Sequence, residues 1–93
     1  MSTPSLSQPT KLPNPEEYEA VLKDIWQELK KYGETPSRID EKLEPLSSGL
    51  LDSISVLKFL VFLQKQFNTV IAPNKIIDGE IKTVADFARA VVG

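Results

Sequence analysis

Apolar residues recur at three- and four-residue steps in three stretches of the chain, and each stretch predicts a helix. Asn14-Pro15-Glu16-Glu17 reads as the start of the first, with Asn as N-cap, Pro at the first helical position and Glu closing a capping box. Tyr18, Val21, Leu22, Ile25, Leu29 and Tyr32 then form one stripe, which predicts a helix over 15–32 with Trp26 flanking it. Lys30 and Lys31 suit the negative end of its dipole, and Gly33 is the expected stop. In the second, over 53–67, Val56, Leu60, Leu63 and Phe67 make a core stripe that Phe59 widens. Ile54, Leu57, Val61 and Phe62 are left over. The first three stand at i, i+3 and i+7 and line a second face leading away from Ser53. Either the other helices wrap further round than one stripe requires, or this face meets partners.

Asn68 is the expected C-cap of that helix, and Thr69-Val70-Ile71 is too short to predict a strand. Ala72-Pro73 opens a single turn carrying Ile76 and Ile77, stopped at Asp78-Gly79. Thr83 caps a last helix with Asp86 at its third position and Val84, Phe87, Ala88 and Val91 as its stripe. The fold class that follows is all-α, a small three-to-four-helix bundle with a long first loop.

The remaining segments divide the chain into a tail and a domain. Residues 1–13 place prolines at 4, 9 and 13 among Ser, Thr and Gln, the composition of a flexible N-terminal tail, and 14–93 form the helical domain. The connection over 33–52 is long enough to carry structure or function. Within it Thr35-Pro36 is a possible start of a short helix bearing Ile39 and Leu43, and Glu34, Asp40, Glu41 and Glu44 make it acidic. It reads as a surface loop anchored by Ile39, Leu43, Leu46 and Leu50, without the regular oxygen ligands and central Gly of a calcium loop.

Ninety-three residues make one small domain, too little for a deep catalytic cleft with lids. A net charge of −2 without a basic run argues against nucleic acid or an anionic membrane as partner. No apolar stretch reaches spanning length and no basic-then-apolar leader opens the chain, so the cytoplasm is the expected location. There is no Cys and no His. Disulfides, thiolate metal sites and cysteine nucleophiles are excluded, as are the commonest general base and metal ligand. The expectation is a protein that is not an enzyme, with no catalytic residues and no metal site of its own.

The stretch with chemical promise is Gly49-Leu50-Leu51-Asp52-Ser53-Ile54. A Ser48-Gly49 turn leads to two leucines, an Asp able to cap a helix, and a serine in its first turn. Unpaired N–H groups and the helix dipole favour an anion there, so a phosphate ester on Ser53 is well placed. The same residues also read plainly as an Asp cap before an amphipathic helix.

The order of parts resembles the acyl carrier protein family, with its peptidyl- and D-alanyl-carrier relatives, over about 15–92. The resemblance rests on Gly-Leu-Leu-Asp-Ser-Ile at 49–54, Gln-Lys-Gln-Phe at 64–67, the Pro73–Ile77 turn and Thr83-Val84-Ala85-Asp86-Phe87. It implies that Ser53 takes a 4′-phosphopantetheine arm from coenzyme A by the action of a phosphopantetheinyl transferase. The arm's thiol then carries acyl or aminoacyl groups as thioesters. Asp52 matches the motif's Asp, capping the helix and helping to orient the serine. Ile54, Leu57 and Val61, with Lys58 beside them, match partner-facing positions. The partners implied are that transferase, a loading ligase for acyl or aminoacyl groups, and downstream acyl-transfer enzymes, each visited by a monomer.

One departure accompanies the resemblance. Fatty-acid-synthesis carriers are acidic along the helix after the serine, whereas 53–67 has no Asp or Glu and holds Lys58 and Lys65. The expectation is a specialised carrier with its own enzymes. The alternative is a helical protein-interaction module on the same fold that is never modified.

Overall fold

The computed structural model describes residues 15–93. The 1–13 tail and the Asn14 cap lie outside the described residues. Four helices follow in order: α1 (Pro15–Leu29), α2 (Ser55–Phe67), α3 (Pro73–Ile77) and α4 (Val84–Val92). Among the described residues there is no strand, and no helix is long and apolar enough to cross a membrane.

α1 buries the predicted stripe through Val21, Leu22, Ile25 and Leu29, with Tyr18 and Tyr32 half-buried at its ends. Trp26, expected to flank the stripe, is instead among the most buried side chains, 2% exposed. The helix also ends three residues earlier than its pattern predicts. Lys31 N–H donates to Glu28 O at 3.0 Å and Tyr32 N–H to Leu29 O at 3.0 Å, i→i+3 bonds that replace the α pattern with a tighter final turn. Gly33 does not cap it, since only Gly49 and Gly79 among the described glycines have positive φ. Its place is one of close approach: a Cβ there would stand 3.0 Å from Leu50 Cδ1.

The short helix considered at Thr35-Pro36 does not form. Residues 34–54 run as turns, and their buried anchors are Pro45 and Leu51 rather than Ile39 and Leu46, which are each 38% exposed. Proline at 45 opens a tight turn in which Ser48 N–H donates to Glu44 O at 2.9 Å and Leu51 N–H to Pro45 O at 2.8 Å. Gly49 completes that turn at φ +86°, a conformation suited to glycine.

α2 places Val56, Phe59, Leu60 and Leu63 in the core. Phe59 meets Phe87 of α4 edge to face at 5.2 Å, and Phe62 lies at the core's edge beside Phe59 and Phe67, each at 5.9 Å. Asn68 ends the helix in the left-handed conformation, its N–H on Gln64 O. Thr69–Ile71 is a connection without regular structure whose Ile71 is buried, and Ile76 of α3 is buried while Ile77 is 78% exposed.

α4 has the predicted capping box: Asp86 N–H donates to Thr83 Oγ1 at 3.1 Å, and Thr83 N–H to Asp86 Oδ2 at 3.0 Å. The two remaining orphan donors of its first turn find loop carbonyls, Val84 N–H on Leu43 O at 2.9 Å and Ala85 N–H on Glu41 O at 3.0 Å. The long loop is thereby sewn to the start of α4. Tyr18 adds a bond from α1, its hydroxyl donating to Glu41 Oε1 at 2.6 Å. With its middle fixed in this way, the loop delivers residues 49–54 to the start of α2.

Candidate functional site

The site is built around the entry to α2. Asp52 Oδ1 accepts from Ile54 N–H at 3.0 Å and from Ser55 N–H at 2.7 Å, and Val56 N–H donates to Asp52 O at 2.9 Å. Regular helical geometry begins at Ser55 with Ile54 formally flanking it, yet these bonds make Asp52 the working N-cap and Ser53 the first residue after it. The Ser55 N–H, then its hydroxyl and the Ile54 N–H hold the Asp52 carboxyl below the usual range. Ser53 itself is exposed.

This geometry alters the expectation of an open anion site. The donors at 54 and 55 are already occupied by the Asp52 carboxylate, so a phosphate on Ser53 would rely on the helix dipole and on the Ser53 N–H, which the cap leaves out. The cap bonds the backbone just beyond Ser53, and Ser53 stays exposed.

Ser53 also stands on the lip of an apolar groove of about 250 Å³, walled by Leu46, Val56, Leu57, Pro73, Ile76 and Ile77. A second groove of about 350 Å³ shares Leu46, Val56, Ile76 and Ile77 and reaches Leu51 and Phe87. The loop, α2 and α3 thus form apolar walls around the serine. Leu46, Pro73 and Ile77 were not singled out as site residues from the chain pattern. The available signal was one isoleucine more than the short α3 needs, because Ile76 alone faces the core.

Ile54 is 66% exposed, and Leu57 and Val61 are each 49% exposed, so α1, α3 and α4 do not wrap the second face of α2. Lys58 is exposed on the same face. Asp52, Ser53, Ile54, Leu57, Lys58 and Val61 are therefore brought together along one side and end of one helix. Among the described residues no group of three or more His, Cys, Asp or Glu gathers as a metal-binding cluster. Comparison of the chain with family models, with curated proteins and with solved structures found no match.

Proposed function

We propose that this protein is a carrier whose Ser53 bears a 4′-phosphopantetheine arm and which presents acyl or aminoacyl groups to partner enzymes. The observation that carries the reading is the exposed Ser53 hydroxyl, set by the Asp52 cap at the start of α2 and at the lip of an apolar groove. A hydroxyl so placed is reachable by a large enzyme, and the groove walls at Leu46, Leu57 and Ile77 offer apolar contact to a flexible arm. When attached, the arm supplies a thiol, which this chain without cysteine otherwise lacks, for holding cargo as a thioester. Asp52 fixes the direction of Ser53, and Ile54, Leu57, Lys58 and Val61 form the surface that enzymes meet beside it. The chain performs no bond-making by itself under this reading. A phosphopantetheinyl transferase, a loading ligase and downstream acyl-transfer enzymes supply the chemistry.

The second reading, an unmodified interaction module, is favoured by the same exposed Ile54–Leu57–Val61 face, which needs no prosthetic group to bind a partner. Intact-mass spectrometry separates the two. The protein and its Ser53→Ala variant are incubated with coenzyme A and a broad-specificity phosphopantetheinyl transferase, with a second transferase if the first is silent. The carrier gains one phosphopantetheine and the variant none, with the same circular dichroism for both. A folded wild-type protein that no transferase loads overturns the carrier reading. Loading of the variant would move the site to Ser47, Ser48 or Ser55.

A further inference from the structure

We infer that the outward face of α2 docks on a protein surface that is an apolar depression bordered by carboxylates. From the preceding reading it takes only the premise that partners must reach Ser53. Ile54, Lys58, Val61 and Lys65 follow one another at steps of four, three and four, so apolar and cationic side chains alternate along a single exposed ridge, with Leu57 beside it. Burying Ile54, Leu57 and Val61 requires an apolar complement. Neither lysine takes part in an ion pair among the described residues, and α2 contains no Asp or Glu. Asp52, the nearest carboxylate in sequence, is engaged by the backbone at 54 and 55. A partner carrying basic residues at this rim would meet like charge, and one carrying carboxylates meets two uncompensated ammonium groups.

The acid of α1 does not supply that complement. Its exposed carboxylates, Glu16, Glu17, Glu19 and Asp24, stand on a helix with no exposed large apolar side chain, so that face of a second copy offers charge without the depression. From residue 53 onward five basic residues face three acidic ones, although the whole chain is net −2. The positive character is local to the half that bears the site.

Two synthetic amphipathic peptides test this, alike in their leucine stripe and flanked either by glutamates or by lysines. Each is titrated into the ¹⁵N-labelled full chain and followed by amide chemical shifts. The glutamate-flanked peptide is expected to shift residues 54–65 and to bind about 3- to 10-fold more tightly than the lysine-flanked one. In Lys58→Glu/Lys65→Glu, where both sites are exposed and the fold is retained, the preference reverses. Equal affinities, a preference for lysine, or shifts elsewhere on the domain overturn the inference, as does an absence of binding. Stronger shifts on α2 with phosphatidylglycerol vesicles would replace the protein partner by an anionic lipid surface. Shifts that grow with protein concentration alone would replace it by a second copy. Transferase loading of the same samples keeps the two ideas apart: loading without the peptide preference defeats this inference only, and the preference without loading defeats the carrier reading only.

Discussion

Asp52 carries its effect through one carboxylate oxygen on two backbone donors, and that arrangement is pH-sensitive. Its pKa is depressed in the folded chain, chiefly by the Ser55 and Ile54 N–H bonds. The stabilisation is therefore present above the ordinary carboxylate range and is lost as pH falls through the depressed value. Asp52→Ala is expected to unfold at lower urea than wild type at neutral pH, with the gap closing in acid; parallel urea titrations at both pH values check this. A gap that persists unchanged in acid would mean that the charge is not what stabilises the cap. Gly49 makes a second prediction. A Cβ there meets nothing within 4 Å, so Gly49→Ala is penalised only for its φ of +86°, by about 1–2 kcal/mol, and Gly49→Asn by less. The Asp cap and the Ser48-Gly49 turn were legible in the chain because capping and turn chemistry are local. The same cap fills the donors at 54 and 55 that an anion on Ser53 would need, a consequence the open-site expectation left out. Gly33 misled because its glycine answers to Leu50, a contact across the fold.

Helices declared by both a stripe and a cap were read correctly at the level of elements. α4 is the clearest case, with Thr83 and Asp86 forming the reciprocal bonds their spacing predicts. Burial pushes the Asp86 carboxyl up, but the N–H groups of Lys82 and Thr83, the Thr83 hydroxyl and Arg89 together hold it below its usual value. Thr83→Ala is expected to cost about 1 kcal/mol in a urea titration while leaving the helix in place, since the loop carbonyls of Glu41 and Leu43 still satisfy the first two donors. The 33–52 connection was the least legible part. Its Pro36 suggested a helix start, yet tertiary bonds from Val84 and Ala85 draw the carbonyls of 41 and 43 away from any local helix. α2 was legible as a helix with two apolar faces, but which of them the fold covers could be settled only by the packing of α1, α3 and α4. The groove beside Ser53 depends on the relative placement of three elements, and no periodicity within one of them reports it.

The whole domain shares one core, and its single tryptophan sits inside it. Trp26 of α1 belongs to the same buried cluster as Leu51 of the loop, Phe59 and Leu63 of α2, Ile76 of α3 and Phe87 of α4. Its indole N–H has no hydrogen-bond partner among the described residues, and the ring is packed inside this cluster. A cluster assembled from all four helices and the loop gives no subset a separate core to fall back on. Tryptophan fluorescence and far-ultraviolet circular dichroism are therefore expected to trace coincident urea transitions. Leu63→Ala, at a fully buried position, should shift both midpoints together by an amount equivalent to about 2–5 kcal/mol. Leu57→Ser, on the outward face, should move either by no more than about 0.5 kcal/mol. A fluorescence transition that survives loss of most helical signal would mean that α1 and α4 hold Trp26 by themselves. In that event α2 and Ser53 would ride on a separately unfolding unit, and the exposed ridge would belong to a mobile element instead of a rigid platform.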